Sequence, residues 1–444
     1  MSVGDRIGHN EDKIMKTWTT KNVGMRTAAI IFATICILVT APSFEAQGID
    51  LCGCATIPGL QPFDSTVSAT LPPGTVDDGS NLTIPLPPDG IFRFSSFNLQ
   101  SRFVRFVRNA ANTPVIILVS GNASFNGAVC CYNFYVNGAD ASGGSSSLAG
   151  VGGLGGPGGF RGGDGASQAI NGAAIGGAGI GPGGGDGGTG TPLANASGGT
   201  FLGVPELTPL LGGSGGGGGG SSSASSTACS GGGGGGGGGA LLVAVNGTLT
   251  TSNYQFIADS GSGAGPGNGN CASAGAGGSG GAIRLIANHF APGANPNIYA
   301  RGFGGTDGRI RLESIDTSAQ TAFVTGPAAL RIVGPTPLAN PINPTVAITS
   351  VGGSAVPTVP QGTFGAIDVI LPAPGATPVT IATTGVPSGT TVAISVKPRI
   401  GGPAVSQTVP LGSCDGAGAC GAAATFTLSA GAYVVEARAT FQIP

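Results

Sequence analysis

Three arginines take equivalent places in short apolar segments, and they are the residues best suited to bind an anion. Arg284, Arg311 and Arg331 each stand between aliphatic residues, as in Ile283-Arg284-Leu285. A guanidinium group binds carboxylate and sulfate groups through two parallel hydrogen bonds. This pattern suggests that the three arginines contact an anionic glycan.

A second interpretation gives the same arginines a structural role. Like charges opposite each other on adjacent strands are destabilising, so something must offset them. The carboxylates that could do so from within the chain are Glu313, Asp307 and Asp259. We favour this internal pairing over glycan contact.

No other group of residues predicts a reaction centre. His289 has no Ser or Cys near it in the sequence that would make a catalytic pair, and a zinc site lacks partners because His289 is the only histidine beyond the N-terminal region. Asp164 and Asp186 lie in Gly-Gly-Asp-Gly contexts typical of calcium-binding repeats, but no nine-residue period surrounds them. We therefore predict no catalytic residue, no metal site and no cofactor.

The cysteines indicate an oxidising compartment. Eight of the nine cysteines lie beyond residue 46, and an even number in an exported chain favours disulfides. The expected bridges are Cys414 to Cys420 and Cys229 to Cys271, with Cys52 or Cys54 reaching the Cys130-Cys131 pair.

The N-terminal region predicts export. Met25 and Arg26 precede an apolar run from Ala28 to Val39, which has the length of a signal-peptide core and is too short to span a bilayer. We expect a signal region over residues 1–46, with Met25 as the better start, and a secreted or cell-surface chain without a transmembrane segment. An uncleaved anchor is the alternative.

The composition argues against a nucleic-acid partner. The 444 residues include 87 glycines, only 9% are charged, and the formal net charge is -2. Such a charge balance gives no general attraction to a polyanion. Any partner would instead be a surface glycan or another envelope protein.

A glycine-rich insert at about residues 138–239 carries a period of three. Val151, Leu154, Pro157 and Phe160 recur at every third position with glycine pairs between them. Three residues per turn is the period of an extended polyproline-II-type helix, and bare glycine edges would let such helices pack by main-chain hydrogen bonds. The alternative is a flexible Gly/Ser-rich linker. Both remain open at this point.

Three segments align without gaps on either side of a smaller glycine insert at 260–281. They begin at Gly239, Gly281 and Gly308, and a fourth, around Arg331, repeats their centre. Alternation along a strand would turn one row of aliphatic residues inward: Leu241, Ile283, Ile310, Leu330. A second strand per turn is indicated by Phe256-Ile257-Ala258 and Ile298-Tyr299-Ala300. Constant inward residues with variable spacing predict a right-handed parallel β-helix over residues 91–335, after an extended cap at 47–90.

The segments Gly278-Ser279-Gly280-Gly281-Ala282-Ile283-Arg284-Leu285 and Gly308-Arg309-Ile310-Arg311-Leu312-Glu313 resemble a group of exported, glycine-rich, single-stranded parallel β-helix proteins of bacterial envelopes. The resemblance covers about residues 90–335 and implies the fold and an envelope location; no activity is assigned to that group. The glycine tracts are also similar in kind to the polyglycine-II helices of some phage tail-fibre adhesins and insect antifreeze proteins.

A Pro-rich hinge at 336–344 precedes a C-terminal region at 345–444. Short alternating apolar runs divided by turns predict an immunoglobulin-like β-sandwich there. The expected strands are Val346 to Ser350, Ile367 to Leu371, Val379 to Thr383, Val392 to Val396, Thr425 to Leu428 and Tyr433 to Phe441. The whole chain is therefore expected to be all-β.

These features predict an exported, disulfide-containing, non-enzymatic surface protein with a structural or adhesive role. The first alternative is a polysaccharide-binding or polysaccharide-cleaving β-helix protein, although cleavage would need a cluster of carboxylates that the strand segments lack. The second alternative is an ice-binding protein. That function requires a regular face of threonines, and no Thr-x-Thr ladder recurs on the aligned segments.

Overall fold

The chain forms almost nothing but β-structure. The structure, a computed structural model, describes residues 49–145, 148–167, 173–222, 229–338, 344–357, 360, 367–398, 405–412, 414–415 and 419–439. The expected signal region lies outside the described residues. Two short 3-10 turns, Ser68–Thr70 and Ala319–Ala322, are the helical elements in the described part.

Strands follow one another along the whole described chain. The first nine are β1 (Phe63–Asp64), β2 (Val76–Asp77), β3 (Asn81–Pro85), β4 (Ile91–Phe94), β5 (Phe97–Gln100), β6 (Phe103–Val107), β7 (Val115–Val119), β8 (Ala123–Asn126) and β9 (Tyr132–Tyr135). The next eleven are β10 (Ala173–Ala174), β11 (Thr189–Gly190), β12 (Leu193–Ala194), β13 (Ser221–Ser222), β14 (Ala240–Ser252), β15 (Tyr254–Ile257), β16 (Ala282–Pro292), β17 (Asn297–Tyr299), β18 (Arg309–Glu313), β19 (Val324–Thr325) and β20 (Ala329–Val333). The last seven are β21 (Thr345–Val351), β22 (Ser354–Ala355), β23 (Gly375–Thr384), β24 (Thr391–Pro398), β25 (Val405–Pro410), β26 (Ala419–Leu428) and β27 (Tyr433–Ala439).

Before the C-terminal region, the chain alternates between two parallel sheets. Sheet A contains β1, β4, β5, β7, β8, β14, β16, β18 and β20, and sheet B contains β2, β3, β6, β9, β15, β17 and β19. The chain passes from β14 in sheet A to β15 in sheet B, and then to β16, which pairs with β14 in parallel. Each return to a sheet therefore adds a parallel neighbour; the antiparallel pair β2–β3 is the exception within sheet B.

The predicted alignment of the aliphatic row is confirmed. Leu241 pairs with Ile283, Ile283 with Ile310, and Ile310 with Leu330. The first three are at most 1% exposed and lie in one apolar core, whereas Leu330 is 41% exposed because β20 is the last strand of sheet A. The expected second strand is confirmed as well, since Phe256 of sheet B pairs with Ile298.

The glycine segments between the strands form an ordered bundle of extended chains. We call the glycine bundle the segments 136–145, 150–166, 176–190, 196–203, 212–222, 229–239, 258–265 and 273–281. Its centre is the run Gly231–Gly239, which is buried along its whole length. Successive N–H groups of this run donate to three different segments in rotation: 160–166, 273–279 and 136–142. The carbonyl groups accept from three others: 150–156, 213–219 and 261–264.

This hydrogen-bond pattern repeats every third residue, so the central run is surrounded by six neighbouring segments. Gly231, Gly234 and Gly237 donate to Ala166, Gly163 and Phe160. Buried backbone groups need partners, and here each is satisfied by a neighbouring main chain. A side chain would obstruct the approach, because a Cβ added at Gly236 would collide with the backbone carbonyl of Leu154. The glycines are therefore a packing requirement of the bundle.

The C-terminal strands form two antiparallel sheets around a second apolar core. Their orders are β22-β21-β23-β26 and β25-β24-β27. Val379 and Phe426 from the first sheet meet Val392 and Ile394 from the second, and all four are at most 2% exposed. The hydrophobic alternation along these strands explains why each sheet buries one face.

One predicted C-terminal strand was wrong, and two strands, β22 and β25, were not predicted. Residues 367–371 form no strand; Ile367 and Ile370 are 74% and 79% exposed. Pro372 and Pro374 follow directly, and proline cannot donate to a strand ladder. The additional strand β25 is largely polar, and its pairing with β24 completes the second sheet.

The disulfides agree in part with the sequence prediction. Cys229 is bonded to Cys271 with a Cα–Cα distance of 5.3 Å, and Cys414 to Cys420 with 4.1 Å, as expected. The expected link from Cys52 or Cys54 to the Cys130-Cys131 pair is wrong: the bonds are Cys52–Cys54 and Cys130–Cys131. The reason is that Cys52 and Cys54 lie on sheet A with Leu118, in an apolar cluster separate from the strand that carries Tyr132.

The close packing of the glycine bundle makes a direct prediction about stability. Gly236→Ala should lower the free energy of unfolding by about 1–3 kcal/mol, because the added methyl meets backbone that cannot move independently. Urea denaturation of the exported chain measures the change. Gly265→Ala is the matched control: a Cβ at Gly265 meets no atom within 4 Å, so its effect should stay within about 1 kcal/mol. Equal effects of the two substitutions would contradict a tightly packed bundle.

Candidate functional site

The predicted arginine row exists, and a carboxylate lies inside it. Arg284 pairs with Arg311, and Arg311 with Arg331, on adjacent strands of sheet A. The Nε atoms of Arg284 and Arg311 both donate to Oε1 of Glu313 at 2.6 Å. Oε2 of Glu313 accepts from the backbone N–H of Thr336 at 2.9 Å. Glu313, one of the three partners expected from the sequence, thus neutralises part of the row.

The chain itself covers two of the three arginines. Arg284 is 6% and Arg311 7% exposed, and Glu313 is fully buried. Nη1 of Arg284 donates to the hydroxyl of Thr208 at 3.1 Å. The neighbouring Leu207 is buried against Ala240 and Ala282 of the same sheet. A glycan could not reach these two guanidinium groups while this segment is in place, so the outward-facing, accessible row that the sequence suggested is not formed.

The third arginine is accessible but also paired. The side chain of Arg331 is 47% exposed, and its Nη1 lies 2.9 Å from Oε1 of Glu206. Sequence reasoning did not find Glu206, because it belongs to a segment far from the aligned strands. The other two expected partners act elsewhere: Asp259 binds Arg301, and Asp307 accepts from the N–H of Gly302.

Glu313 is held in its charged form. Burial alone would raise the pKa of Glu313, but the hydrogen bonds from Arg311 and Arg284 outweigh burial and hold that pKa below its usual range. A carboxyl group whose pKa is lowered on folding contributes stability above its ordinary pKa and loses it as the pH falls. The cluster therefore acts as a structural clamp on sheet A at neutral pH. Nη1 of Arg311 is buried in it and has no hydrogen-bond partner among the residues that the structure describes.

Other segments cover the rest of the outer face of sheet A. Leu51, Cys52 and Cys54 pack on aliphatic residues such as Leu242 of that face. Asn246 accepts from the N–H groups of Leu51 and Cys52 at 2.7 and 3.0 Å. The N-terminal segment is thus attached to the sheet by both apolar and polar contacts.

The outer face of sheet B has a different character. Val104, Phe134, Phe256 and Ile298 point into the core, so the residues between them point outward. Two outward rows cross β6, β9, β15 and β17. The first row is Arg105, Tyr135, Ile257 and Tyr299, and the second is Asn133, Gln255 and Asn297. Arg105 is exposed, and the polar members of both rows are half-buried.

Arginines pack against the tyrosine rings of the first row. The guanidinium carbon of Arg105 lies 5.0 Å from the ring centre of Tyr135, and that of Arg301 lies 4.6 Å from the ring centre of Tyr299. Arg301 also forms an ion pair with Asp259, whose side chain is 3% exposed. Arg105 is exposed, and within the described chain it has no carboxylate partner.

The second row presents amide groups at regular intervals. The orientation of the Asn133 amide that satisfies both of its atoms accepts from the hydroxyl of Tyr135 and donates to Oε1 of Gln255 at 3.0 Å. Nε2 of Gln255 and the amide of Asn297 bind no described residue. Adjacent strands are about 4.8 Å apart, so these amides form a ladder with that repeat.

A crevice of about 230 Å³ adjoins one end of this face. It lies between Val107 and Arg108 at the end of β6 and the glycine segment around Leu154 and Gly155, and Pro360 also lines it. Nη1 of Arg108 donates to the carbonyl of Gly155 at 3.2 Å. Burial lowers the pKa of Arg108 to about 10, with Arg161 acting in the same direction and Asp368 opposing it. Arg108 therefore stays protonated at neutral pH, and Asp368 partly offsets its charge.

The sequence contains a signal for this face. The alignment of Phe256-Ile257-Ala258 with Ile298-Tyr299-Ala300 extends back to Phe134-Tyr135-Val136, which places Tyr135 in one row with Tyr299. What the sequence could not show is that sheet A would be covered and sheet B left open. That difference depends on where the segments at 49–60 and 201–210 fold.

The remaining residues considered for chemistry are engaged in structure. Asp164 is buried, accepts from the N–H of Gly152 and pairs with Arg161 at 2.6 Å. Asp50 lies close enough to Cys52 and Cys54 for three ligand atoms to share a metal ion, but the two sulfurs are bonded to each other.

Comparison with known proteins gives no relative: no family model, no curated protein and no solved structure matches this chain. Among the described residues, no helix has the length and apolar character needed to cross a membrane.

The buried cluster predicts how the fold responds to loss of its carboxylate. Glu313→Gln should lower the free energy of unfolding by about 3–5 kcal/mol at pH 7, because it leaves two buried guanidinium groups without a counter-charge. The difference between variant and wild type should shrink as the pH falls through the lowered pKa of Glu313. Urea denaturation as a function of pH measures both effects.

Glu206→Gln serves as the control for that experiment. It removes the carboxylate that pairs with the exposed Arg331 of the same arginine row. The free energy of unfolding should fall by less than about 1 kcal/mol. If both substitutions cost the same, the Glu313 cluster does not have the structural role described above.

Proposed function

We propose that the chain is an exported, non-enzymatic surface protein with a structural or adhesive role. The architecture we infer has three parts. Sheets A and B form the walls of a right-handed parallel β-helix, the glycine bundle consists of polyglycine-II helices inserted at one of its corners, and the C-terminal sheets form an immunoglobulin-like sandwich. The alternation of the chain between two parallel sheets supports the first part, since such crossovers are right-handed in nearly all proteins. The three-residue rotation of hydrogen bonds supports the second.

The observation that carries the proposal is the six-neighbour packing around Gly231–Gly239. Nine residues with a rise of about 3.1 Å each extend on the order of 25 Å beyond the sheets. The segments are cross-linked by main-chain hydrogen bonds in every direction, and Cys229–Cys271 ties two of them together at the far end. A rigid projection with few charges suits surface contact.

The far end of the bundle also exposes apolar side chains. Ile175 is 69%, Leu148 58% and Leu193 43% exposed. Leu148 lies two residues before Gly150, whose N–H donates to Gly231, and Ile175 follows Ala174, which pairs with Ser221 just beyond Gly219 and Gly220. Leu193 lies in β12, which pairs with β11 next to Gly190. These aliphatic groups would supply hydrophobic contact with a surface, and the rigid segments below would hold them in place.

Display on a non-adherent bacterium tests the adhesive role. Cells that display the full chain should attach to polystyrene and glass beads several-fold more than cells without it. The triple variant Leu148→Ser, Ile175→Ser and Leu193→Ser should lose most of the attachment to polystyrene, because the burial of apolar area drives that contact.

The matched control changes exposed aliphatic residues elsewhere. Val76, Ile370 and Val405 are 63%, 79% and 57% exposed, and their replacement by serine should leave attachment unchanged. Attachment that does not rise on display of the wild-type chain, or that falls equally in both triple variants, would argue against adhesion through the glycine bundle.

Polysaccharide binding is the second candidate function, and the open outer face of sheet B favours it. Polar amides, tyrosines and an arginine without a carboxylate partner among the described residues lie on this parallel sheet, and such groups hydrogen-bond to sugars. Cleavage has less support, since the described carboxylates of the two parallel sheets that face arginines, Glu313 and Asp259, are committed to ion pairs.

A further inference from the structure

We infer that the outer face of sheet B binds an extended acidic polysaccharide, a polymer of uronic acid units, with Arg105 contacting a carboxylate. The inference rests on the proposed extracytoplasmic location and specifies the partner of the second candidate function. It does not depend on adhesion through the glycine bundle.

The first argument is the contrast between two faces of the same coil. The chain covers sheet A with its own segments, so that Leu242 is 4% exposed and Arg284 6%. On sheet B the polar and tyrosine residues of the two outward rows stay half-buried and Arg105 lies open, although Ile257 between the two tyrosines is 5% exposed.

The second argument is charge. The strands that form the open face read FVRFV, YNFY, YQFI and NIY, and they carry an arginine but no carboxylate. Several other described arginines are matched by carboxylates: Arg284 and Arg311 by Glu313, and Arg301 by Asp259. Arg105 is exposed and has no carboxylate partner among the described residues, and Arg108, whose charge Asp368 partly offsets, lines the adjoining crevice. The complement of this surface is an anion.

The third argument is repetition. The amides of Asn133, Gln255 and Asn297 lie on successive strands, and so do Tyr135, Ile257 and Tyr299 of the first row. A ligand that satisfies such a ladder must itself repeat hydrogen-bonding groups along one direction, about every 4.8 Å. A polysaccharide chain lying across the strands does so through its hydroxyl groups. A small anion would use only one position of the ladder.

The fourth argument is rigidity. Arg105 packs against the ring of Tyr135, and the hydroxyl of Tyr135 donates to Asn133, which in turn donates to Gln255. These contacts hold the polar groups in fixed positions before a ligand arrives. Preorganised groups lose less conformational entropy on binding.

The test uses two polymers with one backbone. Polygalacturonate carries a carboxylate on each sugar, and its fully methyl-esterified form is neutral. Isothermal titration calorimetry with the purified exported chain should detect binding of polygalacturonate, and the esterified polymer should bind at least several-fold more weakly. Arg105→Gln should weaken binding of polygalacturonate about tenfold, the loss expected for one charge-assisted hydrogen bond. Arg105→Lys should fall between wild type and Arg105→Gln, because it keeps the charge and loses the bidentate geometry.

Arg331→Gln is the matched control, since it removes the same charge from an exposed site on sheet A. It should change the affinity by less than about twofold, and the urea midpoint of each variant verifies that the fold is intact. Three results would overturn the inference: no binding of polygalacturonate, equal binding of both polymers, or equal losses in Arg105→Gln and Arg331→Gln. Cell attachment that needs Arg105 without polymer binding would likewise overturn it and indicate a protein partner. Loss of bead attachment in the Leu148, Ile175 and Leu193 variant concerns the adhesive proposal alone.

Discussion

The structure depends on main-chain hydrogen bonds that only glycine permits at this density. In the run Gly231–Gly239, N–H and C=O groups point in three directions each, and six neighbouring segments satisfy them. Hydrophobic burial cannot hold such a region together, since its residues have almost no side chains to bury. Each hydrogen bond contributes only about 0.5–1.5 kcal/mol net, but an unsatisfied buried amide costs more than that. The network is therefore stable when it is complete, which explains long glycine runs without an interrupting side chain.

The glycine bundle and the parallel sheets are one continuous lattice. Gly239 leads directly into β14, Gly281 into β16 and Gly308 into β18. The N–H of Ala282 donates to Gly239, and the N–H of Arg309 donates to Gly281, so the strand register is already set in the glycine segments. A mismatch of spacing at this junction would strain both parts. The sheets thus align the first residues of each glycine segment, and the hydrogen bonds of the bundle extend that alignment outward.

The sequence was sufficient where a local pattern decides the structure. Inward residues such as Ile283 and Ile310 could be placed because side chains alternate along a strand and a slip of one residue would turn the apolar row to solvent. The disulfide between Cys229 and Cys271 could be predicted because each cysteine adjoins a glycine tract and a bridge would hold the two tracts together. The sequence was insufficient where distant segments compete for a surface. Thr208 covers Arg284 across 76 residues of chain, and neither Glu206 nor the segment around Cys52 has a periodicity that indicates its place on sheet A.

The first outward row of sheet B, which contains Tyr135, Ile257 and Tyr299, lies next to the glycine bundle. This position relates the two proposed roles to each other. Tyr135 is the last residue of β9, Ile257 of β15 and Tyr299 of β17, and in each case the next residue enters a glycine-rich segment. The N–H groups of Val136 and Ala258 donate to Ile257 and Tyr299, so the first bonds beyond the row belong to the lattice of the bundle. The spacing of the polar face is therefore held from both sides, by the apolar core below and by the glycine segments at its edge. A change that loosens the bundle should disturb this edge of sheet B before it reaches the covered face of sheet A, where Glu313 and its two arginines provide an independent clamp.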